Sequence, residues 1–284
     1  MSLTTISSVS GGKTSSMMAL EFPTDRYIFA VVLSDHEPSA PRDKGLLREC
    51  QNRIPHFVAS HEADLTLSNM LRLEQEIGQK IDWVAAEFSL EKFALGQTSL
   101  PGYRSGKPLL PNKRHRFCTT QAKILPIFWH CYLNYFDGDP LLMNIGFRWD
   151  EVSRTKNWSC ENDKIHFPES CNVFDKKQKH KTFEWRISQM PMYEARIDHR
   201  MVKEFWKNKG WQFPEISNCR FCFNHTSTQQ QRQAILEPAN LQAWLEMESV
   251  TGKTFQDAGL ADILRQPLLD VYGSGEIFCS GCTD

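Results

Sequence analysis

The sequence predicts an α/β protein: a parallel twisted sheet with helices on both faces, and a small, mostly helical C-terminal part. Three observations carry this prediction. A short strand pattern over Thr5 to Val9 runs into a glycine turn and then into a helix through Ser15, Met18 and Leu20. The apolar run Tyr27-Ile28-Phe29-Ala30-Val31-Val32-Leu33 is too short for a helix and suits a strand buried on both faces. A second such run, Leu141-Leu142-Met143-Asn144-Ile145-Gly146, follows a helical pattern from Thr119 to about Tyr135.

The remaining elements fall between these. His56-Phe57-Val58-Ala59 is expected to form a third strand, followed by a helix around Leu67 to Ile77. Ser153 to Phe183 is polar, rich in Lys, Asp and Asn, and lacks periodicity, so it reads as a loop or small insertion. From Tyr193 onward Ile197, Met201, Val202 and Phe205 recur at helical spacing, and short helices follow.

Composition bounds the partners. The 284 residues hold 33 basic and 34 acidic side chains, a formal charge of −1. Broad contact with a phosphate backbone would normally need a basic chain, so a nucleic acid would be held by a local patch or through partner subunits. Lys107, Lys113, Arg114, His115 and Arg116 form the best local patch, or else a solvated loop. No run approaches the ~20 apolar residues of a membrane span, and the N-terminus lacks a secretory pattern. A cytoplasmic protein with no membrane partner is expected, and its nine cysteines then read as ligands, reactive thiols or core residues.

The turn after the first strand is Ser10-Gly11-Gly12-Lys13-Thr14-Ser15. Glycines let successive backbone N–H groups converge on one anion, and the helix that follows adds its positive end. Lys13 supplies a full charge, while the hydroxyls of Ser10, Thr14 and Ser15 add donors or magnesium contacts. The pattern is not the longer G-x-x-x-x-G-K-[ST] phosphate loop; a plain Ser/Gly-rich turn is the alternative.

These residues resemble the SGGxDS loop of the adenine-nucleotide α-hydrolase (PP-loop) superfamily, and more narrowly its phosphoadenosine-phosphosulfate reductase-like branch. Four further segments, in order, resemble that branch. They are Ser34-Asp35-His36-Glu37; Arg116-Phe117-Cys118-Thr119 with Lys123; Gly146-Phe147-Arg148-Trp149-Asp150-Glu151 with Ser153 and Arg154; and Cys219-Arg220-Phe221-Cys222 after Pro191 and Asp198. The likeness covers roughly residues 5–225. It departs at Thr14, where the pattern has Asp: a neutral oxygen replaces a carboxylate suited to magnesium.

The resemblance implies a nucleotide-binding α/β domain over 1–190 and a helical region with two CxxC pairs over 191–284. It implies that ATP with Mg2+ is bound by Ser10, Gly11, Gly12, Lys13, Thr14, Ser15, Asp35, Arg116, Lys123, Gly146, Arg148 and Glu151. Lys13, Arg148 and Arg154 are the expected catalytic groups, since guanidinium and ammonium groups match phosphate oxygens where charge develops. Within the branch the chain resembles the ATP-pyrophosphatase subunits of DNA phosphorothioation systems. They imply adenylation of an acceptor, sulfur delivered by a cysteine desulfurase, and nucleic acid held with partner subunits. Two alternatives share the fold, a phosphoadenosine or adenosine phosphosulfate reductase that releases sulfite and a tRNA thiolation enzyme. A regulatory protein with a degenerate loop is a third.

Cys219-x-x-Cys222 and Cys279-x-x-Cys282 offer four thiolates, enough for tetrahedral zinc or a [4Fe–4S] cluster. The pairing requires the C-terminus to fold back, and the two metals are not separable by sequence. Otherwise the tail pair supplies redox or sulfur-carrying thiols. Cys118 is either a reactive thiolate or a small buried residue. Cys50, Cys131, Cys160 and Cys171 lack company that suggests chemistry.

Overall fold

The computed structural model describes residues 3–98, 106–152, 162–168, 180–216 and 219–266. Strands β1 (Thr5–Val9), β2 (Arg26–Val31), β3 (Leu33–Ser34), β4 (Ala59–Ser60), β5 (Ile81–Ala85), β6 (Leu141–Asn144), β7 (Asn162–Pro168) and β8 (His180–Gln189) alternate with helices in the first two-thirds of the chain. The main sheet has the order β5-β2-β1-β6-β8-β7. Its first five strands are parallel and β7 runs antiparallel to β8. The α/β class is as expected.

This order positions the site. From the central β1 the chain moves outward through β2 to β5, then returns to lay β6 on the other side of β1. Ser7 pairs with both Tyr27 of β2 and Asn144 of β6. Where connections diverge in this way, a crevice opens beyond the carboxyl ends of the two strands.

The sheet is covered on both faces because β2 is apolar on both. Tyr27, Phe29 and Val31 join a core with α1 (Lys13–Glu21), α2 (Lys44–Arg53) and α3 (Asp64–Ile77), while Ile28 and Ala30 join the core of the opposite face. That opposite core holds Ile127, Phe128 and Cys131 from α6 (Leu125–Asn134). Full burial of each such side chain stabilises by roughly 1.5–3 kcal/mol, so the two covered faces fix strand register. The expected helix from Thr119 contains a short α5 (Phe117–Thr119) and a π-turn (Thr120–Ile124) before α6.

Two expectations are corrected. His56-Phe57-Val58-Ala59 is not a strand of the main sheet: a turn closes with Phe57 N–H donating to Ile54 O at 2.9 Å, and only Ala59–Ser60 pairs, antiparallel, with β3. The edge strand beside β2 is β5, which starts after Gly78 ends α3 in the left-handed conformation. Its apolar signal is interrupted by Asp82, which hydrogen-bonds Tyr135 and faces His130 at 3.3 Å.

The polar segment Ser153 to Phe183 is not merely a loop. It contributes β7 and the start of β8, and β8 extends the parallel sheet from Leu141↔Arg186 to Asn144↔Gln189. Periodicity missed it because β8 buries Arg186 and Ser188 beside Trp185. Arg186 lies 4.9 Å over the Trp185 ring, a packing that hides charge inside a sheet.

The described residues from 191 to 266 are mostly helical. α7 (Pro191–Glu194) and α8 (His199–Lys209) come first, and Val202 and Trp206 of α8 join the core of α1 and α3. α9 (Ser227–Leu236), α10 (Pro238–Thr251) and α11 (Leu260–Arg265) follow, with a capping box from Thr226 and Gln229 at α9. Trp244, Met247 and Leu260 share a core with Leu90 and Phe93 of α4 (Leu90–Leu95). Among the described residues no helix is long and apolar enough to cross a membrane.

Candidate phosphate site at the carboxyl ends of β1 and β6

The glycine turn leaves β1 and opens α1. Gly11 has φ +77°, and a Cβ there would stand 2.3 Å from Thr66 Cγ2 on α3. Both backbone conformation and space therefore require glycine. Ser15, almost fully buried, braces the turn from inside: its hydroxyl accepts from Ser10 N–H at 3.0 Å and lies 3.0 Å from Ser10 Oγ. Gly12 precedes α1 and offers no side-chain cap, which leaves first-turn N–H groups for an external anion. Trp206 Nε1 of α8 donates to Lys13 O at 2.8 Å and holds the turn's outer side.

The second arm leaves β6. Gly146 passes so close to α1 that a Cβ would lie 3.1 Å from Ser15 Cα. A tight turn follows, with Phe147 N–H donating to Ile145 O at 2.8 Å. That turn brings Arg148 back over the glycine loop, and its Nη1 donates to Thr14 Oγ1 at 2.9 Å. Asp150 Oδ1 accepts from Arg148 Nε at 2.9 Å, and Glu151 Oε2 accepts from Arg148 N–H at 2.9 Å while lying 3.7 Å from Nη1. Two carboxylates thus hold one guanidinium in place, its side chain only 12 % exposed. Lys13, the first residue of α1, makes no ion pair among the described residues.

Whether the loop suits magnesium follows from its donors. Ser10 to Ser15 offers hydroxyls and no carboxylate, and Asp150 and Glu151 are engaged with Arg148. These residues fit a phosphate but not a bare magnesium ion, which would enter with the nucleotide's own phosphates.

Asp35 follows β3, past the same sheet edge. Its carboxylate accepts from Ser89 Oγ at 2.8 Å and lies 3.2 Å from Lys92 Nζ, with nearly half of the side chain in solvent. Arg116 is exposed at the start of α5, as are Lys107, Lys113, Arg114 and His115. Lys123 lies on the π-turn with Nζ 3.7 Å from Glu62 Oε1. The glycine turn, Gly146, Arg148 and Glu151 are thus brought together, whereas described contacts carry Asp35 to Ser89 and Lys92, and Lys123 to Glu62.

Sequence reading missed a buried set beside Asp35. Ser34 Oγ donates to Glu91 Oε1 at 2.5 Å, and His61 Nε2, on a ring 1 % exposed, lies 3.2 Å from the same oxygen. Burial pushes the Glu91 carboxyl up, but the His61 charge and the bonds from His61 and Ser34 outweigh it and hold its pKa at about 2. His61 also meets Trp244 edge-on at 5.2 Å, tying this set to the helical part. An isolated His in a polar stretch carries no signal of such a role.

Glu62, 2 % exposed, accepts from Cys219 Sγ at 3.7 Å through the oxygen that faces Lys123. Cys219 and Cys222 sit in a tight turn, with Cys222 N–H donating to Cys219 O at 3.2 Å and Phe221 at φ +54°. Arg220 clamps this turn to the α/β part through Ser60 O and Asp64, and to the start of α10 through Glu237 and Asn240. The described half supplies two thiols, and no group of three or more His, Cys, Asp or Glu among the described residues is placed to hold a metal. Cys279, Cys282 and Arg154 lie outside the described residues. Cys118 is half-buried near the start of the same helix as Lys123. Burial pushes the Cys50 and Cys131 thiols up to about 12, which keeps them protonated and unreactive at neutral pH.

The chain matches no family model, no curated protein and no solved structure. Fold and geometry define a class: an α/β protein with a glycine turn and an anchored arginine facing one crevice of a parallel sheet.

Proposed function

We propose that the chain is a PP-loop ATP pyrophosphatase that adenylates an acceptor for sulfur incorporation, with nucleic acid, as in DNA phosphorothioate modification, the acceptor class. The observation that carries this reading is the Arg148–Thr14 contact. It sets a guanidinium across a glycine turn at the point where strand order reverses.

In this reading the turn and the N-terminus of α1 hold the β- and γ-phosphates, and Lys13 neutralises their charge. An acceptor oxygen attacks the α-phosphorus, the α–β bond breaks, and pyrophosphate leaves. Arg148, oriented by Asp150 and Glu151, stabilises the charge that builds on the departing oxygens. Arg154 belongs to the same segment and is proposed to act beside it. The outer sulfur of a persulfide supplied by a cysteine desulfurase then displaces AMP from the adenylated acceptor, and a second cysteine thiol cleaves the resulting acceptor–S–S–cysteine bond, leaving sulfur on the acceptor and a cysteine disulfide. Zinc or a [4Fe–4S] cluster, when bound by Cys219, Cys222, Cys279 and Cys282, would order the C-terminus or relay sulfur. ATP labelled at the α-phosphate tests the reaction: label should appear in AMP with an equivalent of pyrophosphate, whereas ADP and phosphate would refute it.

A further inference from the structure

Trp149 stands between two residues of the site yet takes no part in it. Its side chain is 42 % exposed. The ring is nevertheless held: Tyr193 packs at 4.9 Å, the Arg196 guanidinium lies 5.5 Å over the ring, and Trp149 N–H donates to Ile197 O at 2.9 Å. Arg196 occupies the left-handed region at φ +56°, a conformation an arginine adopts only where its surroundings impose it. A large aromatic held by Tyr193 and Arg196, with 42 % of its surface still in water, offers that exposed part for stacking.

From Ile197 the chain enters α8. Val202 and Trp206 turn inward, which leaves Arg200 and Lys207 exposed on the outer side. The helix carries Arg200, Lys203, Lys207 and Lys209 against one carboxylate, Glu204, in a chain whose net charge is −1. Lys209 is paired with Glu76 at 3.0 Å, while Arg200 and Lys207 make no ion pair among the described residues. At about 1.5 Å per residue Arg200 and Lys207 stand about 10 Å apart along the helix, with the exposed Glu204 between them. A mononucleotide at the glycine turn does not need cations over that length; a polymer of phosphates does.

We infer that Trp149, Arg196 and the outer face of α8 form a docking track for single-stranded nucleic acid, with one base stacked on Trp149 and the phosphates following Arg196, Arg200 and Lys207. Stacking on a rigid aromatic accepts any base, and flanking cations supply salt-dependent affinity. The track begins at the residue that follows Arg148 in the chain. The strand's role as acceptor rests on the reading above; its binding does not.

The test uses the full-length protein and a fluorescein-labelled 12-nucleotide strand of mixed sequence, followed by anisotropy at two salt concentrations. DNA, RNA and duplex versions run in parallel, and ATP binding is measured by calorimetry. Trp149→Ala should weaken strand binding about fivefold or more, and Trp149→Phe should restore most of it. Arg200→Glu with Lys207→Glu should weaken it further and flatten the salt dependence. ATP binding should be unchanged in all three. Any of three results overturns the track: no strand binding by wild type, equal binding by the variants, or duplex preferred without dependence on Trp149. Loss of ATP binding alone in Trp149→Ala would assign the ring to adenine instead. Failure of ATP turnover with strand binding intact would count against the pyrophosphatase reading and leave the track standing.

Discussion

Arg148 Nη1 donates to Thr14 Oγ1 at 2.9 Å, a single bond between segments 134 residues apart that leave the two central strands. It fixes a guanidinium over the glycine turn, while Asp150 and Glu151 set its direction. Thr14 departs from the resembled loop pattern, and the structure gives that position a partner: a neutral oxygen accepts from Arg148 without neutralising it.

Arg148→Ala should reduce turnover more than it weakens ATP binding, because its proposed contact strengthens as charge develops. Loss of one such group costs a few kcal/mol, on the order of a hundredfold in rate. Arg148→Lys should recover only part, since a point charge does not keep Thr14, Asp150 and phosphate together. Steady-state kinetics checks this; a change confined to KM would make Arg148 a binding residue only.

Gly11→Ala should destabilise the fold by more than the 1–2 kcal/mol typical of a left-handed non-glycine residue, because its methyl would also strike Thr66 Cγ2. Adding Thr66→Ser removes that methyl contact and should restore part of the loss but not the backbone strain. Urea unfolding of the two single variants and the pair separates the contributions. Additive losses would show that the two residues do not meet.

Much of this was legible in the sequence, and the misses have causes. Buried parallel strands such as Tyr27 to Val31 read plainly because both faces are apolar. The strand β8 did not, since Arg186 and Ser188 occupy buried positions that a hydrophobic period treats as solvent. The glycine turn and the Gly146–Glu151 segment, both singled out in the sequence, meet through Arg148 and Thr14, and Gly146 is explained by its approach to Ser15. The Ser34–Glu91–His61 set was invisible, being assembled from three separate segments whose residues are common and unspaced.

Glu91 sets a pH dependence of stability. Its folded pKa, about 2, lies below the unfolded value of 4.5. Its contribution is therefore fully present above about pH 4.5 and is lost as pH falls through that value toward 2. Wild type should lose a few kcal/mol relative to Glu91→Gln across this window. Denaturant unfolding at pH 7 and pH 3 measures it; an equal acid response in both proteins would remove Glu91 from the account.

Cys219→Ser, Cys222→Ser, Cys279→Ser and Cys282→Ser should each lower the content of zinc or iron and reduce stability alike, because metal binding at such a site contributes directly to folding. Metal analysis and thermal melts of the purified variants check this. Unchanged metal and stability in Cys279→Ser, with sulfite release from phosphoadenosine phosphosulfate abolished, would favour the reductase.

Lys13→Ala bears most directly on the central claim, because Lys13 opens α1 directly after the glycine turn, is half-buried, and makes no ion pair among the described residues. Wild type and Lys13→Ala are given ATP labelled at the α-phosphate, with nucleotide binding, AMP formation and melting temperature measured together. The account predicts that wild type binds ATP and forms AMP and pyrophosphate, and that Lys13→Ala loses both at an unchanged melting temperature. Wild-type binding and AMP formation by the variant would contradict it.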